Sequence, residues 1–146
     1  MIPADLPRVA DIEQRTIPAP WTLAQLQEEI DAANSMALVA EDGESLCGYA
    51  FYRVCPPECE LLHVVVAPQW RRQNVASSLL RQGFTALSHL GCTDCYLEVR
   101  QSNLAARSLY ERMGFFQTGT RKQYYHQPDE DALLLSRHLN DGPGES

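Results

Sequence analysis

The chain has 146 residues, a length that fits one domain with one core, and its 45% hydrophobic and 21% charged residues are the balance of a globular protein in water. The formal net charge of -7 argues against non-specific nucleic-acid binding, which needs a basic surface, and fits either a basic partner or plain solubility. No apolar run approaches the roughly 18 residues of a membrane span; no basic-then-apolar signal opens the chain, so a cytoplasmic protein that crosses no membrane is expected.

In chain order, Asp5 is placed to cap a helix over residues 6–15, with Leu6, Val9, Ala10 and Ile12 as its apolar stripe. Ile17-Pro18-Ala19-Pro20-Trp21 then reads as a rigid connector, because each proline fixes its own φ and pushes the preceding residue out of helix. Thr22 with Gln25 predicts a capping box for a second helix that runs to about residue 32. Strands are expected over 36–40 and 46–53, joined by a hairpin at Asp42-Gly43. A third strand over 60–67 is nearly continuous in apolar residues, which predicts a central position. A long helix over 74–90 follows, with Val75, Leu79, Leu80, Phe84 and Leu87 toward the core. A strand over 95–100, a helix over 103–113 closed by Gly114, and strands over 115–122 and 132–138 complete the pattern. Strand-helix-strand crossovers indicate an α/β domain over 1–139 with a mixed sheet, and 140–146 reads as a disordered tail. The five cysteines read as reduced, packed thiols rather than zinc ligands, and no feature sets an oligomeric state.

Two segments carry candidate chemistry. From Val66 to Ser77 a strand end passes through a basic turn into a helix start with small residues, Ala76, Ser77 and Ser78. Free amides and a partial positive charge at a helix N-terminus favour a phosphate, and Arg71 and Arg72 add charge. A polar loop without a ligand fits the same composition. The second segment places Glu98 on a strand and Tyr110 on the following helix. Asn103 and Tyr110 are two helical turns apart and share a face, while Ala105, Leu109 and Met113 are expected on another, against the sheet. Glu98 alternates with Leu97 and Val99 and shares its face with Tyr96 and Arg100, so an ion pair with Arg100 is the competing role.

Pro68-x-Trp70-Arg71-x-x-Asn74-x-Ala76 resembles the coenzyme A signature of the GCN5-related N-acetyltransferases (GNAT). Leu97-Glu98-Val99-Arg100-x-Ser102-Asn103-x-x-Ala106-x-x-Leu109-Tyr110-x-x-x-Gly114-Phe115 resembles the RimI branch more narrowly, the ribosomal-protein-alanine N-acetyltransferases. Pro20-Trp21, Arg121-x-x-Tyr124-Tyr125 and Glu130-Asp131-Ala132 agree with that branch. The resemblance implies a mostly antiparallel mixed sheet with a splayed central strand pair and about four flanking helices. It implies acetyl-CoA as cosubstrate, no metal, and a basic protein N-terminus, ribosomal in that branch, as acceptor. Backbone groups of Val64, Val65 and Val66 would bind the pantetheine arm, and amides from Arg72 through Gln73, Asn74, Val75 and Ala76 to Ser77 the pyrophosphate. Asn103 would contact the cofactor, Glu98 would be the general base and Tyr110 the general acid.

The pattern departs from the family twice. Asn74 stands where the family's first loop glycine is used; asparagine tolerates the left-handed region best among the other residues, so the loop shape is expected to survive. Only Met1-Ile2-Pro3 precede the first helix, so the usual first strand is expected to be vestigial or missing. Trp21 is either a packing anchor or a peptide contact, and Tyr124-Tyr125 either an apolar loop patch or a peptide platform. His63 reads as a packed or hydrogen-bonded residue rather than a catalytic one. An acetyltransferase for a small amine or another protein, or a non-catalytic acyl-CoA-binding regulator, is the rival reading.

Overall fold

A computed structural model describes residues 1–126 and 129–139, so the expected tail over 140–146 lies outside the described residues. Six strands form one sheet in the order β1-β2-β3-β4-β6-β5. They are β1 (Ser35–Asp42), β2 (Ser45–Cys55), β3 (Glu58–Val66), β4 (Asp94–Arg100), β5 (Phe116–Tyr125) and β6 (Glu130–His138). All neighbours are antiparallel except β3 and β4, which are parallel. Helices α1 (Leu6–Thr16) and α2 (Leu23–Asp31) cover one face, and α3 (Val75–His89) and α4 (Leu104–Arg112) the other.

The local signals explain most boundaries. Thr22 and Gln25 form the expected reciprocal cap of α2, with Gln25 N–H donating to Thr22 Oγ1 at 3.1 Å and Thr22 N–H to Gln25 Oε1 at 2.8 Å. Asp42 pairs with Ser45, so the β1–β2 loop is only Gly43 and Glu44. Asp5 differs from expectation. It lies in a 3-10 turn (Pro3–Asp5), and its carboxylate accepts from Ile2 N–H at 2.8 Å and Arg8 at 2.7 Å rather than capping α1. Pro7, at the second position of α1, lacks one of the N–H donors that an Asp5 cap would serve. No strand precedes α1.

Two apolar layers grip the sheet. Leu79, Leu80, Phe84 and Leu87 of α3 pack with Tyr52, Leu61, Leu97 and Val99. Leu6, Val9 and Ile12 of α1 and Leu26 of α2 pack with Tyr49, Phe51 and Val65. Gly48 sets the distance between α3 and the sheet: a Cβ there would lie 2.7 Å from the Val65 carbonyl and 3.1 Å from Val75 Cγ1. Gly114, at φ 91°, ends α4 and returns Phe115 to the core.

Two irregularities of β3 shape this part of the sheet. Its ladder with β4 runs only from Glu58↔Asp94 to Glu60↔Tyr96, after which the strands part. Opposite β2, Phe51 pairs with His63 and Tyr52 with Leu61, so Leu62 is an extra residue in a β-bulge. The bulge places Leu62 and His63 on the same face, toward α1 and α2, while Leu61 and Val64 face α3.

Glu13 of α1 is fully buried in that second layer. Its carboxylate accepts from the Tyr49 hydroxyl at 2.7 Å and the Trp21 amide at 3.0 Å, and pairs with His63 Nε2 at 3.0 Å. Burial alone would raise the Glu13 pKa, but the hydrogen bonds from His63, the Trp21 amide and Tyr49 outweigh it and hold the group below the ordinary value of 4.5. A carboxyl with a depressed folded-state pKa stabilises the fold above its unfolded pKa and loses that contribution as pH falls through the folded one. Glu13→Ala, which strands the buried Tyr49 hydroxyl and the part-buried Trp21 amide and His63 ring, is expected to cost about 3–5 kcal/mol in urea unfolding at pH 7. Wild-type stability should fall as pH drops below about 4.5, and Glu13→Gln should flatten that fall.

Candidate active site

The parting of β3 and β4 opens a cavity of about 390 Å³ on the α3 face of the sheet. Val64 and Val66 form its wall on β3; Asn74, Val75, Ala76 and Ser77 contribute the start of α3; Asn103, Ala106 and Tyr110 come from α4. The turn into α3 is built for an anion. Arg72 and Asn74 have φ 65° and 62°, both left-handed. The Asn74 side chain makes no capping bond, so the first amides of α3 stay free. Arg71, Arg72 and Arg112 add positive charge along the rim. Small side chains at Ala76, Ser77, Ala105 and Ala106 let a ligand approach both helices.

The acetyltransferase (GNAT) family model matches residues 6–115. The chain belongs to the GNAT family. It is an N-acetyltransferase. It is 31% identical over 134 residues to the [ribosomal protein bS18]-alanine N-acetyltransferase of Escherichia coli (strain K12), covering 90% of each chain. The crystal structure of the ribosomal-protein-S18-alanine N-acetyltransferase from Escherichia coli superposes with a TM-score of 0.88 at 29% identity, covering 95% of this chain and 90% of that one. The fold also matches Arabidopsis thaliana NAA60 in complex with acetyl-CoA, with a TM-score of 0.84 at 20% identity over 96% of each chain.

In this acetyltransferase most of the residues read as cofactor ligands meet in one place. Val64, Val66, Arg71, Arg72, Asn74, Val75, Ala76, Ser77 and Asn103 line the cavity. Val65 points the other way, into the layer under α1 and α2, and does not line the cavity. Gln73 does not line the cavity. Ala105 corrects the sequence reading: it is exposed and lines the cavity beside Asn103 and Tyr110, whereas Leu109 packs against the core as expected while also bordering the cavity, and Met113 is buried under the helix. The physical reason is that α4 lies across the gap, so the stripe that seals the sheet edge also faces the opening. Trp70, in a 3-10 turn (Pro68–Trp70), and Arg112 are further lining residues. Arg112 follows Leu109 by three residues, so helical spacing from Leu109 could have found it.

Asn103 lines the cavity and caps α4 by accepting from the Ala106 amide at 3.2 Å, which commits its Oδ1. Tyr110 packs edge-on against Phe115 and, among the described residues, its hydroxyl makes no hydrogen bond. Burial first, then the neighbouring Tyr125 and Cys95, push its pKa above the ordinary 10, so the phenol keeps its proton at neutral pH.

Glu98 lies on the other sheet face and is not part of the cavity lining. Its Oε1 lies 3.7 Å from Arg121, whereas Arg100 bonds Glu130 at 3.2 Å and the His126 carbonyl at 3.2 Å. Glu98 Oε2 is buried without a hydrogen-bond partner. Tyr125 links the two catalytic candidates. Its pKa is raised by burial and by Glu98, and it in turn raises that of Tyr110, so one phenol stands within electrostatic reach of both. The sequence left Tyr125 either in an apolar loop patch or on a peptide platform, because nothing in the spacing brings it within reach of Glu98 and Tyr110.

Tyr124 is 46% exposed and Tyr125 half-buried, their rings 5.2 Å apart. Arg121 lies over Tyr124 and Arg100 over Tyr125. Trp21 stacks on His63 at 3.9 Å and meets Phe51 edge-on at 5.6 Å. Glu130, at the start of β6, accepts from Ser102 N–H and so fixes the turn between β4 and α4. Cys59 and Cys95 are register partners, and burial pushes the nearby Cys92 thiol up to about 11, which leaves it unreactive at neutral pH. Among the described residues no group of three or more His, Cys, Asp and Glu side chains could hold a metal ion, and no helix is long and apolar enough to cross a membrane.

The left-handed Asn74 gives a direct check on the loop. Asn74→Gly should leave chemical stability unchanged or slightly raised. Asn74→Val should lower it by about 1–2 kcal/mol in urea unfolding, the cost of a bulky side chain in that region.

Proposed function

We propose that the protein uses acetyl-CoA to acetylate a protein N-terminus, the N-terminal alanine of ribosomal protein bS18. The carrying observation is the single cavity in which the free amides of α3, the parted edge of β3, Asn103 and Tyr110 converge. These groups fit a coenzyme A thioester. Free amides and Arg71 and Arg72 suit a pyrophosphate, and the unpaired β3 edge over Val64–Val66 suits the amides of a pantetheine arm. The bound cosubstrate would supply an activated acetyl group as a thioester. The identity to enzymes named for bS18 alanine supports the acceptor, and the acidic chain suits a basic peptide.

The chain's own groups supply proton transfer. An α-ammonium has an ordinary pKa of about 8, so modest assistance yields the nucleophilic amine. Glu98, with one buried oxygen free of partners, is the acceptor for that proton, directly or through a water. Backbone N–H groups beside the gap would stabilise the oxyanion. Tyr110, held protonated by its surroundings, would deliver a proton to the departing sulfur. Trp21 and the Tyr124-Tyr125 pair flank the acceptor side.

An assay with acetyl-CoA and an alanine-terminated bS18 peptide, following thiol release, tests this reading. Turnover on the peptide is expected. Turnover on free amines alone would assign a small-molecule acetyltransferase instead. Glu98→Gln and Tyr110→Phe should each lower kcat by about 10²–10⁴-fold while coenzyme A binding by calorimetry is retained. Because the Tyr110 pKa is raised, kcat should show no descending limb up to pH about 10.

A further inference from the structure

We propose that Glu13 and His63 are positioning residues for the acceptor: together they fix the indole of Trp21 beside the β3–β4 gap and so set the affinity for a peptide N-terminus. The proposal rests on the peptide-acetyltransferase reading above.

The geometry is specific. Glu13 joins three elements at one buried carboxylate: the connector through the Trp21 amide, β2 through Tyr49, and β3 through His63. His63 Nε2 faces Glu13 Oε2 at 3.0 Å and Nδ1 faces the Leu62 carbonyl at 2.8 Å. Held at both nitrogens, the imidazole lies flat on the Trp21 indole, centroids 3.9 Å apart and planes 27° apart. Trp21 is thereby held twice, by its amide and by its ring.

The place of this unit gives it a function. His63 sits at the bulge, just beyond Glu60, the last β3 residue paired to β4. The bulge turns it to the sheet face that carries Glu98, since Leu97 and Val99 face α3. Filling the layer under α1 needs no charge: apolar side chains of similar volume hold a core at least as well as a buried ion pair. What the pair adds is a fixed orientation. One indole face is covered by His63 and an edge meets Phe51, and the half-exposed remainder is left for an incoming chain.

The test measures KM for the alanine-terminated peptide, KM for acetyl-CoA and kcat in wild type, His63→Ala, His63→Gln, Glu13→Gln and the double variant His63→Ala/Glu13→Gln. His63→Ala should raise peptide KM about five- to tenfold, with acetyl-CoA KM and kcat changed less than about twofold. His63→Gln, which keeps a donor toward Glu13, should recover most of the affinity. The double variant should be no worse than the poorer single one, because both break the same unit. Coenzyme A binding by each variant verifies folding; should His63→Ala not fold, His63→Gln against Glu13→Gln carries the comparison. Equal rises in both KM values, or unchanged peptide KM, in a wild type that acetylates the peptide overturns the positioning role alone. A wild type that acetylates free amines but not the peptide overturns both the role and the reading beneath it.

Discussion

Three residues of parallel pairing, Glu58–Glu60 against Asp94–Tyr96, join β3 to β4, and the site exists because the ladder stops there. A continued ladder would pair the backbone of Val64–Val66 and seal the sheet. Parted, the two strands leave polar edges inside a fold that otherwise satisfies its backbone. The same parting sends α4 across the gap, which brings Asn103 and Tyr110 to the cavity. The bulge at Leu62 belongs to the same feature, since the added twist turns β3 away from β4 and moves His63 to the opposite face.

The two faces of the gap have different chemistry. On the α3 face, left-handed Arg72 and Asn74 and the uncapped start of α3 make a cationic, amide-rich floor. On the other face, Glu98, Glu13 and Glu130 hold carboxylates among Arg121, His63, Arg100 and three aromatic rings. An anionic cosubstrate and a cationic acceptor entering from these two faces would each meet complementary charge. Tyr110 and Tyr125 stand between, neutral phenols whose proton release is suppressed by burial.

Much of this was legible along the chain. The capping box at Thr22, the stop at Gly114, the apolar run of β3 and the small residues after Asn74 are local signals with local causes, and the structure follows them. Asparagine in the left-handed loop position was legible too, because its tolerance of positive φ is a property of its own side chain. Asp5 was misread because its carboxylate has two competing partners, Ile2 N–H and Arg8, and the alternative turn satisfies both. Ala105 was misplaced because a helical wheel gives relative faces, not which face meets the sheet.

Sequence alone determined the element types and the family and named candidate residues for acyl transfer, since propensity, capping and short motifs act within a few residues of themselves. Tertiary structure decided which of those residues meet. Glu13 and His63 are 50 positions apart, and only the packing of α1 on β3 joins them. Arg121 rather than Arg100 reaches Glu98, because the register sets Leu134 of β6 between Glu98 and Gly119 of β5, and the Arg121 side chain two residues on extends diagonally across β6. Contacts of that range are set by sheet order and helix packing, which depend on the whole core at once.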